Sequence, residues 1–310
     1  MKALVSGATG FLGSRLCKRL QAEGYEVVGL SSKACDLTLQ NSLRSFLHAH
    51  RGSFDYVFHL AAWTQAGDFC LYHPGEQWLI NQKINTNMLS YWRDEQPQAK
   101  LISMGTSCSY DPSLELKEEN YFSGVPIDSL FTYAMTKRML YSGILALSKQ
   151  YGMKHMTFVP STLYGPGYHT DGRQMHFIFD LIRKIVAGKF YGEEVVLWGD
   201  GHQKRELVYI DDFITAMLAL NSRCSNELVN IGAGEEHSIR EFAKMICENV
   251  EYDFDSIRFD TSKYVGARSK FLDVAKLRKL YPQYRTTPLS QGLSSTIDWF
   301  VSEKEKIFRK

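Results

Sequence analysis

The chain reads as an α/β protein, a doubly wound parallel sheet carrying a smaller C-terminal substrate-binding lobe. Three observations predict this. Short apolar runs alternate with helical stretches through the first half of the chain, the pattern of parallel strands joined by crossover helices. A glycine-rich turn, Gly7-Ala8-Thr9-Gly10-Phe11-Leu12-Gly13, links the first run to the first helical stretch. After Pro160 the pattern gives way to Tyr164-Gly165-Pro166-Gly167-Tyr168-His169, where inserted loops and a late lobe are expected. The expected division is 1–165 plus 203–232 for the sheet and 166–202 plus 233–310 for the lobe.

The first strand, Lys2-Ala3-Leu4-Val5-Ser6, ends at the glycines. Gly7 permits a sharp turn, Gly10 removes the Cβ that would block a pyrophosphate, and Gly13 lets the next helix approach the sheet. That helix, near 12–23, turns its free N–H groups and positive dipole end toward the phosphates. Gly7, Thr9, Gly10, Phe11, Leu12 and Gly13 are therefore candidate dinucleotide contacts. Their spacing resembles the short-chain dehydrogenase version of the Rossmann-type fold. Further strands are expected at Glu26–Ser31, Tyr56–Leu60, Leu101–Met104 and His155–Val159, with helices near 40–50, 75–93 and 131–150 between them.

The edge after the second strand distinguishes the two nicotinamide dinucleotides. An acidic residue there grips the ribose hydroxyl of NAD and repels the extra phosphate of NADP. This chain instead offers Ser31, Ser32 and Lys33, with Arg15 nearby on the first helix, so NADP is expected rather than NAD. Asp36 and Leu37 follow at the adenine side. Leu60, Ala61 and Ala62 supply small residues where the third strand passes the cofactor, a role packing alone also explains.

With 36 Lys and Arg against 34 Asp and Glu, the chain has no charge bias toward nucleic acid. The lysine-rich end at 304–310 reads as a solvated tail. No run of about 18 apolar residues spans a bilayer, and a strand at residue 2 leaves no room for a signal peptide. The six cysteines are scattered without a CxxC pair, which predicts no metal site, no disulfide framework and a reducing cytoplasm.

Tyr133-Ala134-Met135-Thr136-Lys137 opens the fourth helix. The spacing puts Tyr133 and Lys137 on one face. A phenol titrates near about 10, and an adjacent ammonium lowers that value, which suits a proton relay. Thr106, just past the fourth strand, offers a hydroxyl to orient a substrate oxygen beside the phenol.

These residues resemble the extended short-chain dehydrogenase/reductase family, in its nucleotide-sugar branch. The likeness runs nearly end to end. It rests on the glycine loop, His59-Leu60-Ala61-Ala62, Asn81, Thr106, Tyr133, Lys137, Leu163-Tyr164-Gly165-Pro166, the run Arg205–Asp212 and Asn230-Ile231-Gly232. Thr106-Ser107-Cys108-Ser109-Tyr110, Val196-Leu197-Trp198-Gly199-Asp200-Gly201 and Lys270-Phe271-Leu272-Asp273-Val274 narrow it to epimerase/reductases of GDP-linked 4-keto-6-deoxy sugars. The resemblance implies that Cys108 and His176 are the epimerising base and acid, with Arg183, Trp198, Arg205 and Lys270 binding the nucleotide sugar. It also implies a homodimer joined through the helices near 75–93 and 131–150.

The chemistry agrees with such a pair. A 4-keto group acidifies C3 and C5, and inversion needs a base on one ring face and an acid on the other. A thiol near about 8.5 and an imidazole near about 6.5 titrate in the working range. From the residues alone, Cys108 also reads as a small buried hydrophobe, His169 rivals His176 as the acid, and Trp198 reads as core. Reduction without epimerisation, and NAD-dependent C4 epimerisation, are the alternative activities.

Overall fold

The computed structural model describes residues 1–48, 52–67, 69–263 and 267–308. The apolar runs form β1 (Lys2–Ser6), β2 (Glu26–Leu30), β3 (Tyr56–His59), β4 (Lys100–Met104) and β5 (His155–Pro160). Between them lie α1 (Phe11–Ala22), α2 (Gln40–His48), α3 (Phe69–Tyr72), α4 (Pro74–Glu95) and α5 (Phe131–Tyr151). The helix expected to 50 is described to His48, and residues 49 and 50 lie outside the described range.

The second half carries β6 (Thr162–Tyr164), α6 (Phe177–Tyr191), β7 (Val196–Trp198), β8 (Lys204–Arg205), β9 (Leu207–Tyr209), α7 (Ile210–Arg223) and β10 (Glu227–Ile231). It closes with β11 (His237–Ser238), α8 (Ile239–Val250), β12 (Arg258–Asp260), α9 (Ala275–Leu280), α10 (Leu289–Ser302) and α11 (Lys304–Phe308). The tail read as a solvated end therefore forms a helix. Ile307 and Phe308 pack on the lobe core, which gives those residues a reason to order.

Six strands form one parallel sheet in the order β10-β5-β4-β3-β1-β2. Alternation along β1 shows why it is buried on both faces. Ala3 and Val5 join a core with Leu16 of α1 and Phe213 of α7, whereas Leu4 joins Met88 and Trp92 of α4 on the other side. The strand order reverses between β1 and β3, and that reversal opens a crevice at their carboxyl ends.

A separate apolar core holds the lobe. Ile178, Ile182 and Val186 of α6 pack with Phe242 and Ile246 of α8 and with Leu293 of α10. Paired short strands frame it: β6 with β9 and β7 with β12 in parallel, β8 with β11 antiparallel. Phe11 joins the glycine loop to this lobe, its ring edge-on to Tyr168 at 5.2 Å and to Phe179 at 5.8 Å. Among the described residues no helix is long and apolar enough to cross a membrane.

Candidate active site

A buried hydrogen-bond knot shapes the crevice. The Ser6 hydroxyl donates to His59 Nδ1 at 2.9 Å and accepts the backbone N–H groups of Leu60 at 3.1 Å and Ala61 at 3.2 Å. His59 Nε2 donates to Asn85 Oδ1 on α4 at 3.0 Å. Those roles need a neutral imidazole. Burial supplies it, against the Asn85 hydrogen bond and with help from the Lys137 charge, holding His59 near about 4.

Gly7 stands on this knot with φ +71°, and an added Cβ would lie 3.0 Å from Ala61 N. A Cβ on Gly13 would lie 2.0 Å from the Gly7 carbonyl oxygen, so only glycine allows this approach. At Gly10 the nearest atom would be the Gly7 oxygen at 3.3 Å. No side chain caps α1 at Gly10, which leaves its first-turn N–H groups to an anion. These features fit a dinucleotide diphosphate. The ring of Phe11 belongs to the aromatic packing against the lobe rather than to an open face.

Ser32 and Lys33 are exposed just past β2. Asp36 accepts from Thr38 N–H at 2.9 Å and from the Thr38 hydroxyl at 2.7 Å, which holds its carboxyl below the usual range. The Leu37 side chain lies in the core, and its carbonyl accepts from Asn87 Nδ2 at 2.9 Å. Arg15 does not reach this edge. Its guanidinium grips Asp211 of α7 at 2.7 and 2.6 Å.

Past β4, Thr106 Oγ1 accepts the Cys108 N–H at 3.2 Å and starts a short 3-10 turn. Ser109 Oγ donates to the Ala134 carbonyl at 3.2 Å. The buried guanidinium of Arg138 binds the Ser109 carbonyl at 2.9 and 2.6 Å, with further bonds to Ser123 and Gly124 carbonyls. The turn is thus stapled to α5, which sets the Thr106 hydroxyl in the electrostatic surroundings of the Tyr133 phenol.

Lys137 Nζ lies 5.9 Å from the Tyr133 ring centroid. The expected lowering of the phenol is not found: burial raises Tyr133, and the Cys108 and Cys70 thiols reinforce it. Burial also lowers Lys137, to about 8. The ammonium approaches the ring and His59, not the phenol oxygen as a close partner, so both groups follow desolvation.

Cys108 is half-buried, and Lys270 Nζ stands 3.2 Å from its Sγ. Burial acts to raise this thiol, but the Lys270 charge and hydrogen bonds from Thr106, Lys270 and Ser107 outweigh it, so the net shift is downward. His176 begins α6, and its N–H donates to the Tyr168 hydroxyl at 3.4 Å. Its side chain has open surface yet stands in a recess. Burial first, then the charges of His169 and Lys270, lower it to about 4. His169 packs at a tilt against Tyr168, ring centroids 4.1 Å apart, and faces Asp171 at 3.4 Å.

In the lobe, the reading of Trp198 as core is overturned. Trp198, read as core, is 56% exposed, because β7 is a short edge strand whose last residue lies outside the lobe packing. Lys184 Nζ stands 5.7 Å from its ring centroid. Arg183 pairs with Asp180 on its own helix at 2.7 Å. Arg205 donates to the Lys204 carbonyl at 2.7 Å and the Ala267 carbonyl at 2.8 Å.

Three residues escaped the sequence reading. Cys70 of α3 lies within electrostatic reach of Cys108 and Tyr133. Arg138 staples the turn. Glu206, buried, accepts the N–H groups of Gly234 at 2.7 Å and Leu272 at 2.9 Å. Only Glu206 stood in a quoted run; nothing local marks the other two.

A phosphate-cradling loop at a sheet reversal, with a threonine–tyrosine pair and a buried lysine beside it, defines a dinucleotide-binding α/β class. The chain belongs to the NAD dependent epimerase/dehydratase family, whose model matches residues 3–232. It is 31% identical to GDP-L-fucose synthase 1 of Arabidopsis thaliana, over 97% of this chain and 93% of that one. It is 30% identical to a dTDP-4-dehydro-6-deoxy-D-allose reductase of Streptomyces sp, over 97% and 96%. Among solved structures, a GDP-L-fucose synthetase from Naegleria fowleri bound to NADP superposes with a TM-score of 0.85, at 26% identity, over 98% of this chain and 95% of that one.

Proposed function

We propose that this chain is an NADP-dependent epimerase/reductase acting on a 4-keto-6-deoxy nucleotide sugar, GDP-linked. The observation that carries the reading is the direct contact of Cys108 with Thr106 and Lys270, with the Tyr133 phenol and His176 in their electrostatic surroundings. The fucose-synthase relative and the NADP-bound neighbour support the nucleotide and the cofactor.

Gly7, Thr9, Gly10, Phe11, Leu12 and Gly13 would hold the diphosphate of the dinucleotide, with Ser32 and Lys33 at the ribose phosphate. Asp36, the Leu37 backbone, Leu60, Ala61 and Ala62 would line the remainder, and Lys137 would hold the nicotinamide ribose. When bound, the dinucleotide supplies hydride to C4 of the sugar. The Cys108 thiolate removes a proton from C3 or C5, leaving an enolate, and His176, neutral in the free enzyme, takes a proton from solvent as the enolate's charge develops and returns it from the opposite ring face. Tyr133 then protonates O4, which Thr106 orients. The buried phenol keeps its proton until an oxyanion develops, which suits an acid. Arg183, Trp198, Arg205 and Lys270 are the proposed nucleotide-sugar contacts, with the lobe taken as 166–202 plus 233–310. A lobe core built mostly from those segments supports the reading, although Tyr164 and Leu207 also enter that core and Leu272, Val274 and Leu277 pack in the core of the sheet.

The proposed assembly is a homodimer through α4 and α5. Leu79 is 60% exposed and Met139 46%, with Trp78, Phe131 and Met135 on the same apolar face. Six free cysteines support a reducing cytoplasm.

Reduction without epimerisation is the second reading, favoured by the likeness to the Streptomyces reductase. The experiment is a screen of NADPH and NADH oxidation against 4-keto sugars carried on GDP, dTDP, CDP and UDP. NADPH oxidation with the GDP sugar is expected. Oxidation of neither dinucleotide with any of them would refute the reading.

A further inference from the structure

We propose that Lys270 is the activating partner of Cys108, its ammonium forming an ion pair with the thiolate in the enzyme before any sugar binds. The inference rests on the base role given to Cys108 and goes beyond it. It assigns to Lys270 a task beyond the nucleotide-sugar contact proposed for it. The 3.2 Å contact between Lys270 Nζ and Cys108 Sγ spans 162 residues of sequence, so the fold must hold it in place.

The surroundings show how. Lys270 lies two residues before Leu272, which is buried and donates its N–H to Glu206 at 2.9 Å. The next residue, Asp273, donates its N–H to the Leu116 carbonyl at 3.0 Å and accepts at its own carbonyl from Asn230 Nδ2 at 3.1 Å. These bonds fix the strap that carries Lys270. On the other side, the Cys108 N–H is held by Thr106, and the turn is stapled to α5 by Arg138. Both ends of the contact are thus anchored by buried hydrogen bonds.

The charge balance points the same way. Around Cys108 stand the Thr106 and Ser107 hydroxyls on its own turn, the Tyr133 phenol on α5, the Cys70 thiol on α3 and Lys270 on the strap. His176, at the start of α6, faces Lys270. Of these groups, Tyr133 and Cys70 are neutral at pH 7 because burial raises both, and burial also keeps His176 neutral. Lys270 is therefore the cation beside the sulfur. In the step itself, the thiol S–H bond breaks, the proton passes to solvent, and the sulfur retains the electron pair opposite the ammonium.

The test reads the thiol without any sugar. Iodoacetamide alkylation of Cys108 is followed from pH 5 to 10 by mass spectrometry of its peptide, in the wild type, Lys270→Met and Lys270→Arg. The wild-type thiol is expected to reach half-maximal reactivity below the ordinary cysteine value of about 8.5. Lys270→Met should cut the rate at pH 7 about tenfold, equivalent to about one pKa unit, and Lys270→Arg should restore most of it. A wild-type Cys108 that titrates at or above the ordinary value overturns the proposal without any variant. So does a folded Lys270→Met protein with an unchanged profile. An activated Cys108 in an enzyme that catalyses no sugar exchange would instead leave this inference standing and remove the function proposed for the thiol.

Discussion

His59 is held neutral because its ring must accept from Ser6 and donate to Asn85, and a second proton would break that order. Its pKa is about 4 in the fold, below the ordinary 6.5. Below pH 6.5 the unfolded chain binds a proton that the native ring refuses, so stability present above that pH is lost as pH falls toward 4. The loss attributable to His59 is on the order of 3 kcal/mol. His155 and His176 shift in the same direction, so the variant isolates one share. Urea midpoints of the wild type should fall between pH 6.5 and 4, and a His59→Gln protein should show a shallower slope. Equal slopes would contradict the assignment. At this scale the local signals were readable: Tyr133, Lys137 and the glycines reveal themselves by spacing within one turn. The Lys270–Cys108 contact joins residues 162 apart, and no periodicity carries that. The core reading of Trp198 failed because an apolar triplet reads the same in a core strand and in a short edge strand.

Among the elements, the turn after β2 and the face of α1 divide two charges that the sequence places close together. Lys33 is exposed at the sheet edge, whereas Arg15 is committed to Asp211 of α7. Lys33→Met is therefore expected to weaken NADPH binding about tenfold, the worth of one charge-assisted bond, and to leave NADH binding unchanged. Arg15→Met should leave both within about twofold, since its half-exposed ion pair is worth about 0–1 kcal/mol of stability. Fluorescence titration of both dinucleotides checks this, and a large loss of NADPH affinity in Arg15→Met would contradict the division. Placement of β1 to β5 and of α1, α4 and α5 was legible to within a residue or two because parallel strands buried on both faces read as unbroken apolar runs, whereas β10 and the helices after α5 were not placed. The short strands of the lobe were not, since two or three residues hold no period.

For the molecule as a whole, the α4–α5 face leaves Leu79 and Met139 bare beside an apolar depression lined by Trp78 and Phe131. Such a patch on a chain of this size calls for a partner. Wild-type protein should sediment as a dimer, and the Leu79→Glu/Met139→Glu variant as a folded monomer; a monomeric wild type would contradict the assembly. The reversal in strand order, which puts the glycine loop opposite Thr106 and Tyr133, followed from the alternation of elements and needed no long-range information. The lobe's contact with the glycine loop through Phe11, Tyr168 and Phe179 did.

Proton exchange at the sugar ring tests most directly whether this crevice joins epimerisation to reduction. GDP-4-keto-6-deoxymannose is incubated with the enzyme in deuterated water without NADPH, and C3 and C5 are followed by NMR. Deuterium should enter both positions with the wild type and neither with Cys108→Ser, while the variant still binds NADPH. Full reduction on later addition of NADPH, with no deuterium at either carbon, would contradict the account and leave a reductase alone.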